Sequence, residues 1–145
     1  MFLKKLDEKR TYRNVQQFFK EDFDQLQRLS KAESLIATND PSKAMSGSHK
    51  DNDSLNINHY SYKQLYDICL KAIKSCSTPG EAILIKKYID GYSIVKIAMD
   101  LGISTSTYKR WLNKAYIEFA DKLFEITSQQ NPKHPIDFRI YEGDQ

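Results

Sequence analysis

The sequence predicts an all-α fold: an N-terminal amphipathic helix followed by a four-helix domain that carries a helix-turn-helix. Three observations predict it. Apolar residues recur at spacings of three and four on both sides of the chain's middle, the period of helices with one buried face. A single polar stretch, residues 38–59, interrupts them. The segment from Tyr92 to Lys114, YSIVKIAMDLGISTSTYKRWLNK, sets a short apolar helix, a glycine and a basic second helix in immediate succession.

Residues 1–37 form the first segment. Val15, Phe18, Phe19, Phe23, Leu26 and Leu29 mark one face of a helix from about Tyr12 to Leu35. One helix cannot bury such a stripe alone, so the stripe packs on the rest of the chain or on a partner. Phe18, Phe19, Phe23 and Leu26 are therefore candidates for a dimerisation surface as well as for the core. The polar face mixes Glu21, Asp22 and Asp24 with Lys20 and Arg28, which disfavours a membrane surface.

Residues 38–59, TNDPSKAMSGSHKDNDSLNINH, read as a flexible polar linker, too poor in apolar groups to offset its ordering entropy. His49 and His59 are expected in solvent there.

Residues 60–128 read as the four-helix domain. Its first helix runs from Ser61 to about Ser75, with Leu65, Ile68, Cys69, Ala72 and Ile73 on one face. Ser77 or Thr78 is expected to cap the second, with Pro79 at its first position and Glu81 close behind. That helix ends at Asp90-Gly91. Residues 129–145 form an irregular C-terminal tail, in which IDFRIY has the pattern of a short extended strand.

The third and fourth helices are the helix-turn-helix pair. Ile94, Ile97 and Leu101 are expected on the buried face of the first, and Ala98 at the crossing point. Gly102 accommodates positive φ at the turn. Ile103 follows into the core, and Ser104 caps the second helix. Tyr108 and Trp111 or Leu112 then point inward. The outer face is left with Thr105, Ser106, Lys109, Arg110 and Asn113, flanked by Ser104 and Lys114. From Ser104 to Tyr116 there are three cations and no acid. Such a helix enters the major groove of duplex DNA with its N-terminal residues near base edges. Arg110 suits guanine and Asn113 adenine. Lys109 and Lys114 suit phosphates, and the amides behind Ser104 and Thr105 can meet another.

Composition is compatible with this reading. The chain has 145 residues, a net charge of +3 and a pI near 8.7. Nine Tyr and seven Phe supply a core. No apolar run approaches a bilayer's thickness, and nothing in MFLKKLDEKR reads as a signal peptide, so a cytoplasmic protein is expected. Cys69 and Cys76 are expected as free thiols. No glycine-rich phosphate loop, HExxH motif or cysteine cluster occurs, so no enzyme, metal or cofactor is expected.

The block from Tyr66 to Phe124, with its KKYIDGYS junction and IAMDLGISTSTYKRWLNKAYIEFADKL, resembles region 4 of bacterial sigma factors, which reads the −35 promoter element. Over residues 12–127 the chain more closely resembles the ArpU family of phage late-gene regulators. The resemblance rests on NVQQFFKEDFDQLQRLS, the linker AMSGSHKDND and the turn and recognition helix LGISTSTYKRW. It implies transcriptional control of phage or prophage late genes, with Thr105, Ser106, Lys109 and Arg110 as the DNA-reading positions. The sigma likeness adds host RNA polymerase as a candidate partner.

The favoured expectation is a sequence-specific double-stranded DNA-binding regulator, acting as a homodimer through its N-terminal helix. Two alternatives remain at this stage. One is a small-terminase-like DNA-recognition subunit for phage packaging. The other is an interaction protein acting on host RNA polymerase without DNA.

Overall fold

The Phe-rich N-terminal helix is the spine of the core and not a separate segment. The computed structural model describes residues 3–39 and 59–143, and it is all-α. The expected linker lies outside the described residues from 40 to 58, and His49 with it. Six α-helices are described: α1 (Glu8–Phe18), α2 (Asp24–Asn39), α3 (Tyr62–Lys74), α4 (Gly80–Leu84), α5 (Ile94–Leu101) and α6 (Thr105–Gln130). A π-helical turn, Phe19–Phe23, joins α1 to α2, and another, Ile85–Ile89, extends α4.

Asp7 starts α1 by accepting a hydrogen bond from the Arg10 amide at 3.1 Å. The first π turn adds a residue to the helical repeat. Val15 and Phe18 before it and Phe19, Phe23 and Leu26 within and after it all become core. Phe19 stacks on Tyr88 with centroids 4.4 Å apart and meets Phe119 at 4.8 Å. Phe18 lies over Phe119, and Phe23 meets Tyr66. These four side chains are 1–4% exposed, so Phe18, Phe19, Phe23 and Leu26 hold the monomer together and offer no dimerisation surface. The physical reason is α6. It is long enough to give α1 and α3 a common apolar wall.

Ser61 caps α3 reciprocally with Gln64, a capping box that fixes the helix start. The start of α4 differs from expectation. Neither Ser77 nor Thr78 caps it; Pro79 holds the cap position, after a cis Thr78–Pro79 bond. Ser77 instead donates its amide (3.1 Å) and hydroxyl (2.9 Å) to the Glu118 carboxylate on α6. Gly80 then crosses α6 so closely that a Cβ there would stand 3.0 Å from the Ala115 Cβ. Both cysteines are free and buried. Burial pushes the Cys69 thiol up, and burial with Glu118 nearby pushes that of Cys76 up to about 12, so neither is a reactive thiolate at neutral pH.

The tail is docked, not loose. Asp7 donates its amide to the Ile140 carbonyl, and Glu142 donates to Lys5, each at 2.8 Å, as an isolated antiparallel bridge between Leu6 and Tyr141. Two fully buried threonines anchor it. Thr11 exchanges hydrogen bonds with the Ile140 amide and carbonyl, and Thr127 accepts from the Ile136 amide at 2.9 Å. Arg139 lies 4.0 Å over the Phe124 ring while its guanidinium bonds Asp137. His134 stacks on His59 at 3.5 Å, and His59 remains exposed to solvent, as expected, while making this contact. Thr127→Val keeps the shape of the side chain but strands the Ile136 amide. It is expected to lower unfolding free energy by about 1–3 kcal/mol. A urea titration checks this; an unchanged midpoint would mean the tail contributes nothing to stability.

Candidate nucleic-acid interface

Local rules build the turn between α5 and α6. Ser93 starts α5 by accepting from the Lys96 amide. Gly102 ends it in the left-handed conformation, φ 67°, which a side chain would strain. The Gly102 amide donates to Met99 (3.1 Å) and that of Ile103 to Ala98 (3.0 Å), closing the last carbonyls. Ser104, in extended backbone, accepts from the Thr107 amide at 3.1 Å and starts α6. Three residues thus separate the two helices.

Ile97, Ala98 and Tyr108 are buried at the α5–α6 junction, as expected. Leu101, Ile103 and Trp111 pack on the core while remaining partly exposed, and Leu112 takes the deeper seat beside Trp111. Ile94 departs from expectation at 46% exposure. Helical period alone puts it under α5, but it occupies the helix's first turn, which overhangs the core. Tyr92, Val95 and Met99 are exposed as well, so an apolar face lies on α5 that the sequence does not suggest. Two ammonium groups lie over the Tyr92 ring, Lys86 at 5.5 Å and Lys96 at 5.1 Å from its centroid. Asp100 pairs with the same two lysines.

Ser104, Thr105, Ser106, Lys109, Arg110 and Lys114 are exposed, and Asn113 is half-buried. Among the described residues, Lys109, Arg110 and Lys114 form no ion pair. Arg110 donates to the Thr107 hydroxyl at 3.2 Å, and Ser104 donates to the same oxygen at 3.1 Å. Thr107, which sequence reasoning passes over, therefore aims the guanidinium. Trp111 stands between Arg110 and Lys114 on that flank.

On the other flank α6 faces α1 across a groove of about 620 Å³. Thr105, Ser106, Lys109 and Asn113 form one wall, and Arg13 of α1, Lys20 of the π turn that follows it and Lys87 join them in the lining. No acid lines it. Burial and, after it, the neighbouring Lys20 charge push the Lys87 ammonium below its ordinary value. Tyr108 lines the same groove. Its hydroxyl is buried without a partner, and burial raises its pKa to about 12.

Compared with known proteins, the chain matches no family model, no curated protein and no solved structure. Among the described residues no group of His, Cys, Asp and Glu converges to hold a metal ion, and no helix is long and apolar enough to cross a membrane.

Proposed function

We propose that this protein is a sequence-specific double-stranded DNA-binding transcriptional regulator. Its α5–α6 unit acts as the helix-turn-helix, and residues 104–116 enter the major groove. The observation that carries the reading is the free outer face of α6. Lys109, Arg110 and Lys114 are exposed and unpaired among the described residues, beside small polar Thr105 and Ser106. Cations on surfaces are usually balanced by nearby acids; here Asp100 balances Lys86 and Lys96, and Asp121 faces Arg139. The unbalanced set sits where a polyanion would dock. The likeness of LGISTSTYKRW to ArpU-family regulators makes phage or prophage late genes the proposed targets.

Selection of bound fragments from the source genome at near-physiological salt tests the proposal. Enrichment of a promoter-proximal site is the expected result, and a repeated half-site would reveal pairing of two copies. Enrichment only around a packaging start would favour the terminase reading instead. That reading is weakened by burial of the Phe stripe, which removes the surface expected to build oligomers.

A protein contact is the second reading, and one observation favours it. Val95 and Met99 are 63% and 75% exposed on α5, an apolar face next to the proposed DNA surface. Host RNA polymerase is the partner proposed for it.

A further inference from the structure

We infer that the α1–α6 groove is a seat for the phosphodiester backbone, so that the N-terminal helix forms a second wall of the DNA interface. This rests on the DNA-binding reading and adds to it three residues outside the helix-turn-helix, two of which, Arg13 and Lys20, lie far from it in sequence.

The chemistry of the groove is that of an anion site. Arg13, Lys20, Lys87 and Lys109 converge on it, and no carboxylate lines it. Among the described residues none of the four takes part in an ion pair. Like charges held together without a counterion repel, and burial first, then the Lys20 charge, holds the Lys87 ammonium below its ordinary value. An arriving anion relieves the repulsion. Hydroxyls complete the lining. Thr105 and Ser106 stand at the start of α6, where backbone amides are free, and Tyr108 brings a buried hydroxyl with no partner.

The layout selects a strand over a single phosphate. Arg13 on α1 and Lys20 in the π turn that continues it are about two helical turns, ~10 Å, apart. One DNA strand carries a phosphate for every ~3.4 Å of axial rise, so a row of cations of that length meets a row of phosphates. The position agrees. The groove's other wall holds Lys109 and Asn113, residues proposed to enter the major groove, and a phosphate backbone borders that groove on each side. Lys114 sits beside Arg110 on the opposite flank of α6 and would meet the other border.

The test is a salt titration of duplex binding by the full chain, comparing wild type with Arg13→Ala/Lys20→Ala/Lys87→Ala. Arg13 and Lys20 are exposed and Lys87 is half-buried, so circular dichroism melts first confirm folding of the variant. Affinity is expected to fall about 10- to 100-fold for every duplex tested, with the ranking of sequences kept. The slope of log K against log salt should become shallower by about two to three. Lys20→Arg alone should bind as wild type. Wild-type affinity and slope in the triple variant would overturn this inference and leave the DNA reading standing. No binding of any duplex by wild type at low salt would remove the DNA reading and this inference together. Thermal protection by a nucleoside triphosphate, lost in the triple variant and competing with duplex, would overturn the strand assignment in favour of a free phosphate-bearing ligand.

Discussion

Phe19→Ala is expected to lower the unfolding free energy by about 3–5 kcal/mol, a large part of the roughly 5–15 kcal/mol typical of a domain. The ring is 3% exposed and touches Tyr88, Phe119, Phe18 and Phe23. Its removal takes away its own transfer energy and leaves a cavity among side chains that come from four parts of the chain. Relaxation into that cavity is limited, because Tyr88 is tied to Tyr116 through a hydroxyl–hydroxyl hydrogen bond and Phe119 sits on the rigid α6. Denaturant titration followed by tryptophan fluorescence reads the effect, since the single Trp111 lies on α6. The same variant separates two accounts of the N-terminal helix. A dimerisation helix would leave monomer stability untouched and change only sedimentation. A core helix shifts the unfolding midpoint at any protein concentration. An unchanged midpoint in Phe19→Ala would mean that α1 does not belong to the folded body.

The all-α class and the α5–α6 turn were legible in the sequence because their causes are local. Gly102 and Ser104 do their work through hydrogen bonds to residues three or four positions away, so spacing alone reveals them. The Phe stripe was legible as a buried face, but its partner was not. Period says that Phe19 must be covered and is silent on whether Tyr88 or a second copy covers it. Ile94 shows the opposite failure. Its spacing matches that of Ile97 and Leu101, yet α5 has eight residues and its first turn projects beyond the core. The docking of the tail depends on Thr11 and Thr127, single polar residues in helical stripes that carry no periodic signal. Arg13, Lys20 and Lys87 escaped notice for a related reason. On a helix read by itself each is an ordinary solvated cation. Only the packing of α1 against α6 brings them to the side of Lys109.

Lys109→Ala/Arg110→Ala is expected to weaken duplex binding at least about tenfold at near-physiological salt while leaving the fold intact. Both side chains are exposed, and surface changes of this kind stay within about 0.5 kcal/mol of wild-type stability. Their contributions to binding differ in kind. Lys109 is a flexible point charge at the mouth of the groove, so its loss should make the salt slope shallower by about one and weaken all sequences alike. Arg110 is held by the Thr107 hydroxyl, itself engaged by the Ser104 cap, so its fork is oriented before DNA arrives. A bidentate arginine–guanine contact discriminates by about 1–3 kcal/mol, so its loss should relax sequence preference at one position. Titrating each single variant against the selected site and a site changed at one base pair separates the two effects. A double variant with wild-type affinity and an unchanged slope would place DNA elsewhere or nowhere on this surface. If such a variant also kept the proposed regulatory activity, the exposed Val95 and Met99 face of α5, and a protein partner for it, would become the better account.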